Sequence, residues 1–547
     1  MTFRRSRVLA LAGLTTALAA PAAVAATGGF SKGPSTPTDP YVLPVADGVA
    51  TKSLLTVSDA GSARNGYEMV GIPDGLGAYK RPGSRDFTLL MNHELRNTQG
   101  IARRHGQKGA FVSELDIDSD SDEVESGRDL IDPGVRFWDY PTQSYRSDVP
   151  SSAGTNPRDP TDTFLAQTAE FQRFCSGDLT DPGQLFNRKT KRGTRAQIYF
   201  ANEESGEEGR LFGVTTDGQA QQLPRLGLFS WENTLAAHTR TDRTLVMGNE
   251  DSGDGQLWAY TGTKQRTGNP FTRAGLTNGR NFVVDLKDES TDTDAEFRAN
   301  YGKGNPAKFT LGKDEEVNWD RSGKRQNEDA KARGLTLNRI EDGEFDPRRP
   351  NDYYFLTTEG APGTVPGEPG VKRDGGGLWR LRYKDIERPE KGGTLELVLD
   401  GSEAPFLNKP DNMTIDRKGN LLIQEDPGNN AQLARIIAFN IDTGDRGVMA
   451  EFDRKQFKGK AGDPGFLTQD EESSGIIDAR KFLGRGWFLF DAQVHKANPD
   501  TEKVEFGQLL AMHVRKFRDV YDIDGARGEG TGKDRKKGKG RGVQPRR

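Results

Sequence analysis

Acidic and amide side chains recur at one kind of place along this chain, directly after a short apolar run. Asn92-His93-Glu94 follows residues 87–91, Asn202-Glu203-Glu204 follows 197–201, and Asn249-Glu250-Asp251 follows 244–248. Glu359 follows 353–358, Glu425-Asp426 follows 420–424, and Asp491 follows 487–490. Four copies are preceded by a further acid, in Trp231-Glu232-Asn233, Glu341-Asp342-Gly343, Asp411-Asn412-Met413 and Glu471-Glu472-Ser473. From these acids to the next strand end the chain advances 14 to 19 positions, about one hairpin. Asn and Asp favour turns for their own reasons, but glutamate does not, and it stands in most copies. Hard cations such as calcium take six to eight oxygens from carboxylates, amides and carbonyls. Carboxylates that converge on one channel repel each other and are driven toward protonation unless cations offset them. The pattern therefore predicts an oxygen-rich cation site.

The other chemistry-bearing residues narrow that site. There are five histidines and no HExxH, so a three-histidine zinc centre is unsupported. His93 is the best-placed histidine, either functional or capping a loop by hydrogen bond. Cys175 is the single cysteine, which excludes an intrachain disulfide and leaves it as a small buried hydrophobe or a metal ligand. No GxSxG elbow, P-loop or strand-following GxGxxG occurs. The acidic run 116–125 lacks the glycine and closing glutamate of a calcium loop, so it reads as a solvated insertion.

The elements that position these residues must be short strands. Of 547 residues 33% are hydrophobic, 66 are glycine and 29% are charged, which suits many strands and turns better than helices. Six copies of one strand-and-acid unit predict an all-β, six-bladed β-propeller with loop insertions at 116–170, 261–330 and 359–376. A sandwich would give similar strand spacing but not carboxylates at one strand register. Residues 1–26 read as a signal peptide, with Arg4, Arg5 and Arg7 ahead of an apolar run and Ala23-Val24-Ala25 at a cleavage site. Arg4-Arg5 before Val8-Leu9 also reads as a twin-arginine signal, and a membrane anchor is the alternative. Residues 27–50 read as a linker, 51–520 as the propeller and 525–547 as a basic, disordered tail. Without the leader arginines and the net +7 tail, the formal charge of −4 becomes a body near −14. That balance suits cations. It leaves the tail as the part able to touch anionic cell-surface polymers, and nucleic acid is not an expected partner.

Leu90-Met91-Asn92-His93-Glu94, the lone cysteine upstream of Glu203-Glu204, and the acidic strand ends resemble the PhoX-type alkaline phosphatase family. So does Asp411-Asn412-Met413-Thr414-Ile415-Asp416 ahead of Gly419-Asn420-Leu421; the likeness spans about residues 50–515. The resemblance implies a six-bladed propeller exported by the twin-arginine route. It also implies two Fe3+ ions bridged by a cysteine thiolate, several Ca2+ ions, and carboxylates in the remaining positions. Carried over, Cys175 is the bridging thiolate, Glu203 and Glu204 match the Glu-Glu pair, Glu232, Glu341 and Asp411 are inner-strand ligands, and Asn92 and Glu94 bind an outer calcium. The family's cysteine sits in a Gly-Gly and Trp-rich loop. Here the context is Phe174-Cys175-Ser176-Gly177-Asp178, and the gap to Glu203 is longer. The expected function is an exported, monomeric, metal-dependent phosphoesterase acting on small phosphorylated substrates. No catalytic residue is singled out. The alternatives are a calcium-stabilised binding or scaffold module at the cell surface, and a calcium-dependent lactonase- or phytase-like hydrolase that does not need Cys175.

Overall fold

The strongest apolar runs, such as Ile198-Tyr199-Phe200 and Trp487-Phe488-Leu489-Phe490, do not alternate with polar residues, so they suit strands covered on both faces. The computed structural model describes residues 29–58, 61–81, 83–312 and 315–521. The expected signal peptide and basic tail lie outside the described residues.

The protein is nearly all-β. Six antiparallel meanders follow one another, opening with strands Pro73–Lys80, Phe174–Leu179, Trp231–Ala236, Ile340–Phe345, Pro410–Ile415 and Glu472–Asp478. The third and fourth join edge to edge into one nine-stranded sheet. Each opening strand lies against the opening strand of the next meander, and the sixth lies against the first, so the six surround a common axis.

Neighbouring residues of the second strands feed different cores. Leu90 packs with Phe174 and Tyr199 between the first and second meanders, while Leu89 and Met91 pack with Leu489 and Leu509 between the sixth and first. Tyr353 and Phe355 face the third meander, and Tyr354 and Leu356 face the fifth. Six such clusters lie between consecutive sheets. Each fully buried large side chain in them contributes about 1.5–3 kcal/mol of transfer free energy.

The two ends of the described chain close the assembly. Val49–Thr56 pairs antiparallel with Glu505–Val514 in the sixth sheet, and Gly29–Lys32 adds in parallel outside it. Val42–Pro44 pairs with Arg446–Phe452 in the fifth sheet. Of the expected linker at 27–50, the described residues 29–50 hold the strands Gly29–Lys32 and Val42–Pro44 and the start of Val49–Thr56. Tyr41 N donates to Gln508 Oε1 at 2.7 Å, which ties this segment to the last strand. The insertions are also structured: Arg136–Asp139 and Ser144–Ser147 widen the second sheet, and 116–125 is the hairpin bend at its own strand pair.

Candidate metal centre

Each opening strand carries a register break near its first residues. The breaks fall at Pro73/Leu76, Phe174/Gly177, Trp231/Asn233, Ile340/Gly343, Pro410/Met413 and Ser474/Ile477. A bulge inserts an extra residue and re-aims its side chain. The residues inside the first five breaks include Asp74, Cys175, Glu232, Glu341 and Asp411, and Glu472 opens the sixth strand. Close backbone approach is part of the design: a Cβ on Gly75 would lie 2.1 Å from the Gly177 nitrogen, so glycine alone fits there.

These side chains meet. Asp74, Glu94 and Cys175 offer ligand atoms within 4.8 Å of one another, as do Cys175, Glu204 and Glu232, and again Glu232, Glu341 and Asp411. Cys175 belongs to the first two groups and Glu232 to the last two, so the three form one continuous array. The polar frame holds it. Asn92 Nδ2 donates to the Cys175 carbonyl at 2.6 Å, Asn202 Nδ2 to the Ser176 carbonyl at 2.7 Å, and Ser176 Oγ to Glu232 Oε1 at 2.6 Å. From across the axis Asn412 Nδ2 donates to Ser176 Oγ at 3.0 Å.

The electrostatics call for positive charge. Burial, reinforced by Glu472 and Glu94, pushes the Asp74 carboxyl well up, and burial with Glu341 and Glu232 does the same to Asp411. Glu204 and Glu341 are raised chiefly by burial, and burial takes Glu232 to about 8. Burial and then Asp74 drive the Cys175 thiol upward. Asp74 Oδ1 is buried with no hydrogen-bond partner among the described residues.

Two guanidiniums border the array. Arg173 Nε donates to Glu94 Oε1 at 2.7 Å and its Nη2 pairs with Glu204. Arg339 binds both oxygens of Asp251 at 2.9 and 2.8 Å and lies 3.2 Å from Glu341. Each immediately precedes an opening strand with φ of 46° and 55°, a left-handed setting that costs a non-glycine residue about 1–3 kcal/mol and is held by these contacts. About a third of each side chain stays accessible, 33% and 28%. His495 bridges Glu472 and Glu505 at 3.2 and 3.3 Å; burial opposes its charge, but the two carboxylates hold its pKa above the ordinary value. Among the described residues, the six carboxylates and the thiol of the array are bordered by these two guanidiniums, and the donor set of hard oxygens with one sulfur fits bound cations.

Six of the eight residues expected from sequence, Glu94, Cys175, Glu204, Glu232, Glu341 and Asp411, converge here. Glu203 does not: it accepts Arg210 Nε and Nη2 at 2.6 and 2.7 Å and the Gln172 N–H at 3.0 Å, because adjacent strand residues point to opposite faces. Asn92 uses its amide NH2 to lock the cysteine strand. His93 is structural: buried, stacked on Phe111 and bonded to Ser113 Oγ at 2.7 Å, with burial lowering its pKa to about 3. Sequence reasoning missed Asp74, although Pro73-Asp74-Gly75 repeats the form of Pro410-Asp411-Asn412. It also missed Arg173 and Arg339, which carry no local signal.

The comparisons agree with the resemblance drawn above. Residues 214–476 match the family model described as Alkaline phosphatase PhoX. That span contains Glu232, Glu341, Asp411 and Glu472; Asp74, Glu94, Cys175 and Glu204 precede it. Pseudomonas fluorescens PhoX, solved in complex with vanadate, a transition state analogue, is similar in fold, with a TM-score of 0.56 at 13% identity over 89% of this chain and 97% of that one. A luciferin-regenerating enzyme gives 0.30 at 11% identity over 86% and 95%, and the BP39L lectin from Burkholderia pseudomallei 0.32 at 10% over 81% and 96%. No curated protein matches the chain.

Proposed function

We propose that this chain is an exported, metal-dependent phosphoesterase of the PhoX type, built as a six-bladed propeller. The family match and the fold likeness support a phosphatase. The ring of six opening strands supports the propeller. The observation that carries the reading is the continuous array in which Cys175 and Glu232 are each shared by two ligand groups.

Asp74, Glu94, Cys175, Glu204, Glu232, Glu341 and Asp411 would hold the cations, which by the resemblance are Ca2+ and Fe3+. Bound cations supply Lewis-acid charge that offsets the phosphoryl oxygens. The chain's own residues do the rest. The Arg339 and Arg173 forks, already oriented by Asp251 and Glu94, would clamp non-bridging oxygens of a phosphate monoester. The buried ring walls keep bulk water from the reacting bond and strengthen every charge interaction there.

The test is turnover of a chromogenic phosphate ester with calcium and iron present, then with chelator. The expected result is turnover that chelator abolishes and metal restores; chelator-insensitive or absent turnover on monoesters and diesters rejects the reading. A second reading, a calcium-stabilised module without iron, is favoured by the setting of Cys175 in Phe174-Cys175-Ser176-Gly177-Asp178 and not in a Gly-Gly and Trp-rich loop. Cys175→Ser separates the two: it removes iron and activity under the first and changes neither calcium content nor melting temperature under the second.

A further inference from the structure

The residue just before an opening strand holds one recurring position in this fold. Its carbonyl accepts the N–H of the residue that follows the second strand of the same meander. Ile72 accepts from Glu94 at 2.9 Å, Arg173 from Glu204 at 3.0 Å, Ser230 from Asp251 at 3.1 Å, Arg339 from Thr358 at 2.9 Å and Lys409 from Asp426 at 2.9 Å. Four of these five are left-handed, with φ of 52° at Ile72, 46° at Arg173, 55° at Arg339 and 48° at Lys409. The position therefore presents three cations at the metal-bearing ends of the strands: Arg173, Arg339 and Lys409.

Two of the three charges are spent. Arg173 reaches back to Glu94, the acid beside this position in the preceding meander, and Arg339 reaches back to Asp251 in the same way. Behind Lys409 the corresponding residue is Thr358, which offers no carboxylate; its hydroxyl donates to the Pro410 carbonyl at 2.9 Å. Lys409 Nζ has no hydrogen bond or ion pair among the described residues, although its backbone is fixed by donation from Lys409 N to Asp374 O at 2.6 Å. The side chain is half-buried and lies over the turn after Asp426, where a Cβ on Gly428 would stand 3.3 Å from Nζ. A half-buried ammonium without a partner favours an anion beside it. Arg339 stands two residues before Glu341 and Lys409 two before Asp411, on adjacent opening strands, so both flank the Glu232, Glu341 and Asp411 group.

We propose that Lys409 is a third substrate-contacting cation, and that the ester phosphate seats between Arg339 and Lys409 on the Glu341 and Asp411 side of the array. This rests on the phosphoesterase reading. The test uses the full chain loaded with its metals, a chromogenic phosphate monoester as substrate and inorganic phosphate titrated by calorimetry. Lys409→Met is expected to raise KM for the ester and the dissociation constant of phosphate together, about tenfold or more, the range for losing a hydrogen bond to a charged group. kcat should fall by less, because the contact is made in the ground state as well as in the transition state. Lys409→Arg should recover most of both. Metal content and melting temperature should match the wild type in the two variants. Lys418→Met, at an exposed lysine in the turn beyond the other end of the same strand, should change nothing. Wild-type phosphate affinity in Lys409→Met overturns the proposal. So does an equal loss in Lys409→Arg, or loss of metal together with the side chain, since either makes Lys409 structural. Wild-type protein that neither hydrolyses the ester nor binds phosphate overturns the phosphoesterase reading and this inference with it; wild-type turnover beside an unaffected Lys409→Met removes Lys409 alone.

Discussion

The two ends of the opening strands carry the same residue types in different company. At the starting ends, Asp74, Glu232, Glu341 and Asp411 crowd together with few protein donors, and Asp74 Oδ1 has none. Further along the strands, beginning at the residue after Glu341, the acids have donors: Asp342 accepts from the Asn233 amide, from Gly343 N at 2.6 Å and from Met413 N at 2.9 Å. Glu344 accepts from Thr414 Oγ1 and Ile415 N at 3.0 and 2.6 Å. The far acids are glue between adjacent strands. The near acids are ligands awaiting charge. A buried carboxylate is therefore assigned by its donors, and residue type alone does not assign it.

The comparison breaks most visibly at Glu232. Glu232→Gln removes a ligand shared by two groups, and phosphate-ester turnover should fall on the order of 100-fold or more with a lower metal-to-protein ratio by elemental analysis. Retained activity and metal content would place Glu232 among the structural acids. Asp342→Asn does the opposite. It sets an amide NH2 against backbone donors and should cost about 1–3 kcal/mol in urea unfolding while leaving metal content unchanged. Arg339→Lys keeps the charge and loses the fork, so kcat/KM on a monoester should drop about tenfold, near 1.4 kcal/mol, with iron and calcium retained.

The smallest effect is with pH. Glu232 is raised from 4.5 to about 8 by burial, so the metal-free folded state binds more protons than the unfolded one. Its contribution is therefore present at low pH and lost as pH rises through that window. Chelated protein should melt several degrees lower at pH 8 than at pH 6 by calorimetry. Metal-loaded protein should show little of this slope, because cations replace the protons; equal slopes would contradict the assignment.

Much of this was legible in the chain. Phe488-Leu489-Phe490 and Tyr353-Tyr354-Phe355 announce strands buried on both faces, since no polar residue interrupts them. The recurrence of acids at strand ends announced Glu94, Glu204, Glu232, Glu341 and Asp411. The parity of neighbours was not legible: Glu203 and Glu204 are equivalent as text, yet one pairs with Arg210 and the other joins Cys175. Bulges decide that parity, and a bulge depends on the partner strand's register.

Local sequence determined the strand-rich class, the two-sided cores and the acid-bearing turns, because these follow from apolar runs and side-chain chemistry within a few residues. Tertiary structure alone decided which carboxylates face the axis and that Arg173 and Arg339 join them. Those groups lie tens to hundreds of residues apart, and only closure of the strand ring brings their charges within range of one another.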